Sequence, residues 1–99
     1  MNRARKARRN PAYVTWVRSL FCVLSSLREC WGRTEPHHAG KKPGVGLKAA
    51  DDTCIPLCVR HHRELEDKSG FFKGWAKDEM RTWEDAMIAE TQAVNRVET

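Results

Sequence analysis

Acidic side chains are scarce in the first two thirds of this 99-residue chain. Residues 1–63 hold 4 Asp and Glu against 13 Lys and Arg, a formal charge of +9, whereas residues 64–99 hold 9 against 5, a charge of −4. Long apolar runs are missing too: none approaches the roughly 20 residues that a membrane-spanning helix needs. The basic N-terminus, MNRARKARRN, is not followed by the apolar core of a secretory signal. A cytoplasmic protein with no membrane role is therefore expected. In that compartment the 4 cysteines read as thiols or zinc ligands rather than disulfides. The length leaves room for one domain and a small core, so a bound metal or partner would help to hold it together. With 40% hydrophobic and 31% charged residues the chain belongs with globular rather than disordered sequences. No internal repeat is visible.

Residues 1–10 read as a flexible basic arm and 11–99 as a single domain. Within or beside the arm, Arg3, Arg5, Lys6, Arg8 and Arg9 suit contact with phosphates through counterion release; a solubilising tail is the other meaning of such a block. From Pro11 onward, Tyr13, Val14, Trp16, Val17, Leu20 and Phe21 fall at helical spacing and predict a helix leading to Cys22. The stretch VLSSLREC fits either helix or loop. WGRTEPHHAG reads as a turn and a short strand, and KKPGVGLKAADD as an exposed basic loop carrying Lys41, Lys42 and Lys48. TCIPLC is a second short strand. VRHHRELEDKSG is a helix with Gly70 as its stop, and Trp75, Met80, Trp83, Met87 and Ile88 mark a longer helix over about 75–95. The order helix, strand, strand, helix, helix makes an α+β fold, with a ββα core at about 30–69.

All 4 histidines occur as two doublets, His37–His38 and His61–His62. On a helix, residues three or four apart share a face, but adjacent residues point about 100° apart. His61 therefore pairs with Cys58 and His62 with Glu66, two separate tasks. Cys58 and His61 have the C-x2-H spacing of structural zinc sites, and Cys22 and Cys30 are the candidates to complete the set. Cys54 is the competitor, although it also suits a small buried hydrophobe. The plain alternative is four reduced cysteines in or near the core. His62, Glu66 and His37 form a two-histidine, one-carboxylate set of catalytic type, for which Zn²⁺, Mg²⁺, Mn²⁺ and Ni²⁺ are all admissible. His38 is left beside the metal, able to take a proton from an attacking water.

These residues resemble the HNH, or ββα-metal, endonuclease family, over a match from VRSLFC to HHRELEDKSG. PHHAG, the loop ending KAADD, and PLCVRHHREL carry the likeness, which is greatest to small phage- and prophage-encoded, Ref-like members. The resemblance implies a small ββα-metal (His-Me finger) core with an N-terminal helical segment and a C-terminal helix. It implies His38 as general base, His37 and His62 as metal ligands, and Asp51 near the asparagine that braces the loop. Two departures stand out. Glu66 occupies a position where many members have histidine, which shifts the preference towards Mg²⁺ or Mn²⁺ because carboxylate oxygens are harder ligands. Asp51 or Asp52 stands in place of the asparagine.

The function expected is a metal-dependent DNA endonuclease of weak sequence specificity, with a structural zinc ion beside it. The alternative is a non-catalytic, zinc-stabilised DNA-binding module. A third class is an interaction protein whose C-terminal helix, with Trp75 and Trp83, docks on a phage or host protein, although such tryptophans more often pack against the core.

Overall fold

The computed structural model describes residues 9–42, 44 and 48–98. Its elements run α1 (Pro11–Arg18), β1 (Thr34–His38), β2 (Cys54–Cys58), α2 (Val59–Asp67) and α3 (Lys77–Glu98). The result is an α+β domain in which two antiparallel strands are covered by three helices. None of the described helices is long and apolar enough to cross a membrane. The arm residues Arg3, Arg5, Lys6 and Arg8 lie outside the described residues.

The strands pair in the register Thr34↔Cys58 through His38↔Cys54, which sets Pro36 opposite Pro56. Neither proline has an N–H to give, so the two suit a pair that exchanges no backbone hydrogen bonds. The Pro56 carbonyl turns to the other edge and accepts from the Val23 N–H at 2.9 Å. All five residues of β2 are buried, because helices pack on both sides of it. Ile55 and Leu57 join Leu24 and Phe72 in the main core, with Trp75, Met80, Trp83, Met87 and Ile88 packed against it. Cys54 instead joins Tyr13 and Val17 of α1. This division follows from the period of two along a strand. Phe72 meets Trp75 and Trp83 edge-on, at 5.2 and 5.1 Å between ring centroids, a geometry worth about 0.5–1.5 kcal/mol per pair beyond area burial.

Several boundaries differ from the sequence expectation. α1 stops at Arg18 instead of continuing to Cys22: Ser19 closes the turn on the Trp16 carbonyl, and Phe21, counted towards the apolar stripe, is 89% exposed. The segment VLSSLREC resolves as turns, not helix. Asn10, counted with the basic arm, is the N-cap of α1, and its side chain accepts from the Tyr13 N–H. α2 ends at Lys68, which takes the left-handed conformation (φ 54°) itself. Gly70 follows at φ 52°, where a Cβ would lie 2.3 Å from the Glu64 carboxyl carbon. Trp75 and Trp83, a docking face only under the third reading, pack on the core, while Val94 and Val97 near the end of α3 are exposed.

Candidate metal cluster and histidine site

Cys58 is both the last residue of β2 and the N-cap of α2, and its Sγ accepts from the His61 N–H at 3.4 Å. One helical turn returns the His61 ring to that sulfur, with Nδ1 3.2 Å away. The segment between α1 and β1 supplies the rest. Val23 is pinned to β2, and the carbonyls of Trp31 and Arg33 accept from the Arg60 and Val59 N–H groups. Those two donors belong to the first turn of α2, which has no partners within its own helix. Gly32 makes this approach possible: a Cβ there would sit 2.7 Å from the Val59 Cβ, and its φ is +85°. Cys22 and Cys30 are thereby brought to 3.6 and 3.7 Å from the same His61 Nδ1.

The donor atoms of Cys22, Cys30, Cys58 and His61 all lie within 4.8 Å of one another, the one set of three or more so gathered among the described residues. A tetrahedral ion with bonds of about 2.3 Å to sulfur and about 2.0 Å to nitrogen separates those ligands by about 3.5 Å, which the 3.2–3.7 Å sulfur–nitrogen spacings match. The cluster could hold a metal ion such as zinc. Ligands must be deprotonated to bind, and the four groups divide in this respect. Burial holds the His61 imidazole below its ordinary pKa and so neutral. At Cys58 burial opposes ionisation, but the His61 and Trp31 backbone N–H groups and the neighbouring thiols outweigh it and lower the pKa. Burial raises Cys22, and burial with the neighbouring thiols pushes Cys30 up to about 12. Cys54, the competitor, is not in the cluster: it is fully buried against Tyr13 and Val17, and burial and the nearby Asp51 push its thiol up to about 12.

The other three histidines share a different pattern: each has one ring nitrogen 2.8–2.9 Å from a carboxylate oxygen. An ionised carboxylate only accepts, so the engaged nitrogen carries the proton and a neutral ring keeps its lone pair on the other nitrogen. His38 Nε2 donates to Asp51 Oδ1 at 2.9 Å, leaving Nδ1 as the basic atom. The second Asp51 oxygen accepts from the Asn10 N–H at 2.7 Å, so α1 fixes the carboxylate that fixes the imidazole. The Asn10 N–H and the His38 ring, in that order, hold Asp51 below the usual aspartate range. His37, one residue earlier and so directed to the other side of β1, donates from Nε2 to Glu84 of α3 at 2.8 Å. His62 donates from Nδ1 to Glu35 of β1 at 2.9 Å.

The rings of His37 and His62 come within 5.1 Å, centroid to centroid, with 64° between their planes. Two imidazoles sharing one ion at about 2.1 Å in tetrahedral geometry have centroids roughly 5 Å apart, so the spacing fits a common cation. Glu66, the expected third ligand, is more loosely placed: its Oε2 is 3.7 Å from His62 Nε2 and its side chain is 64% exposed. His37, His62 and Glu66 are accordingly less gathered than the sulfur set. Arg9, Lys41, Lys42 and Lys48 are all exposed. Three participants were not anticipated. Glu35 could have been, since it lies two residues before His37 and shares its face of the strand. Glu84 and the Asn10 backbone carry no sequence signal, being 47 and 41 residues from their partners.

Fold and site define a small α+β domain with a Cys3His cluster able to take a metal such as zinc. The chain belongs to the family described as "Protein of unknown function (DUF968)", whose match covers residues 1–86. No curated protein and no solved structure matches it.

Proposed function

We propose that the protein is a metal-dependent DNA endonuclease of HNH type, hydrolysing phosphodiester bonds with weak sequence specificity. The observations that carry this reading are the close approach of two imidazoles and a third that a carboxylate orients. His37 and His62 are 5.1 Å apart, and His38, next along the strand, is oriented by Asp51 with its Nδ1 left to accept a proton. On this reading His37, His62 and Glu66 hold a divalent cation (Mg²⁺, Mn²⁺, Ni²⁺ or Zn²⁺), which supplies positive charge to the scissile phosphate and its leaving oxygen. His38 removes the proton from the attacking water. Asp51 keeps the correct nitrogen free and stabilises the imidazolium that forms, the division of labour seen wherever a carboxylate orients a catalytic histidine. The Cys22, Cys30, Cys58 and His61 cluster holds a structural zinc ion. Arg9, Lys41, Lys42 and Lys48, with the arm residues Arg3, Arg5, Lys6 and Arg8, contact phosphates and not base edges, hence the weak specificity. A reducing cytoplasm suits the four free thiols.

Plasmid nicking with each of the four metals, wild type against His38→Ala, tests the reading. The variant should lose about 10²- to 10⁴-fold in rate while keeping its zinc and its affinity for DNA in a gel shift. A wild type that nicks with none of the metals overturns the nuclease. The second reading, a non-catalytic zinc-stabilised DNA-binding module, draws on the tighter gathering of the Cys3His set; DNA binding without cleavage, unaffected by His38→Ala, would favour it.

A further inference from the structure

His37 and His62 have mirror-image surroundings. Each engages one ring nitrogen with a carboxylate from a different element, Glu84 from α3 and Glu35 from β1. For His62 this leaves Nε2, the nitrogen on the Glu66 side, with the lone pair. For His37 it leaves Nδ1. We propose that Glu84 is a positioning residue for the metal site: the C-terminal helix selects the His37 tautomer and ring orientation, so that Nδ1 is the atom presented to the cation. The proposal rests on the assignment of His37 as a metal ligand.

The placement of Glu84 is well determined. Its side chain is 12% exposed and the His37 side chain 15%, so water competes little for the contact. Arg81, one turn earlier on α3, donates from Nη2 to the Ala39 carbonyl at 2.6 Å and lies 3.8 Å from the other Glu84 oxygen. α3 thus grips the end of β1 twice, at residues 37 and 39, either side of His38. Gln92 of the same helix donates to the Asp52 carbonyl at 2.8 Å, holding the loop that bears Asp51. A carboxylate behind a metal-bound histidine both raises its basicity and limits its rotation, and losing one typically costs about 10–100-fold in metal affinity.

The test is Mn²⁺ titration of the zinc-loaded protein followed by electron paramagnetic resonance, with the ring nitrogens of His37 observed by long-range ¹H–¹⁵N NMR before metal addition. Wild type should bind Mn²⁺ and show His37 protonated on Nε2. Glu84→Ala should weaken Mn²⁺ binding about 10–100-fold and give a mixture of His37 tautomers, with zinc content unchanged. Glu84→Gln, whose amide oxygen can still accept from Nε2, should restore the tautomer and most of the affinity. Unchanged Mn²⁺ affinity in Glu84→Ala, or a wild-type His37 protonated on Nδ1, would refute the positioning role. A wild type that binds no Mn²⁺ would instead overturn the metal assignment of His37 on which the role depends.

Discussion

The four histidines of the two doublets divide between two regions that handle them in opposite ways. Around His61, three sulfurs converge on one ring nitrogen, with no carboxylate among the described residues in hydrogen-bonding contact. Around His37, His38 and His62, each ring is held by its own carboxylate. The difference teaches what each region is built for. Soft donors gathered around a point, three of the four buried, would with a bound ion make a closed site joining β2, α2 and the Cys22–Cys30 segment. Imidazoles fixed from behind with a free nitrogen in front make an open arrangement, able to bind or to move protons.

Breaking the first region should have the largest effect. Structural zinc sites carry about 10–16 kcal/mol of apparent binding free energy. Cys58→Ser also removes the N-cap sulfur of α2. We expect loss of bound zinc by metal analysis and a melting temperature lowered by roughly 10 °C or more; a zinc-free wild type of equal stability would end the comparison. His38→Ala comes next. It should slow nicking about 10²- to 10⁴-fold while leaving the melting temperature within a few degrees, because the His38 side chain is partly exposed.

Asp51→Asn sharpens the contrast through pH. Asp51 has a lowered pKa in the folded protein, so its stabilising contribution is complete above the unfolded value of about 3.9. That contribution is lost as pH falls through the folded value. Urea midpoints measured from pH 6 down to pH 2.5 should therefore fall less steeply in Asp51→Asn than in wild type, with the two curves converging at the acid end. Parallel curves would show that the His38 and Asn10 contacts contribute no pH-dependent stability.

The smallest effect is expected at Tyr13. Its hydroxyl is buried with no hydrogen-bond partner among the described residues, and burial, with Asp52 and Cys54 nearby, pushes its pKa up to about 12. Removing an unpaired buried hydroxyl is neutral or favourable. Tyr13→Phe should thus match or exceed wild type, by up to about 1 kcal/mol in urea unfolding, with zinc binding and nicking untouched.

Much of this was legible in the chain itself. TCIPLC announces one short strand, and TEPHH lies in another that delivers the first histidine doublet. The C-x2-H spacing at Cys58 and His61 requires a shared helical turn, and the wide Cys22–Cys30 separation did not prevent those residues from joining it. Helix ends were less legible. Phe21 counted towards an apolar stripe that the fold does not bury, and Lys68 takes a left-handed conformation more often given to glycine.

The sequence by itself determined which atoms were available for each task, because spacing within a strand or a helical turn fixes which side chains face the same way. Only the tertiary structure decided which carboxylate stands behind which imidazole. Glu84 reaches His37 and the Asn10 N–H reaches Asp51 across 47 and 41 residues. Those meetings depend on how α3 and α1 pack over the strands, and hydrophobic burial drives that packing without leaving a mark beside the polar residues it brings together.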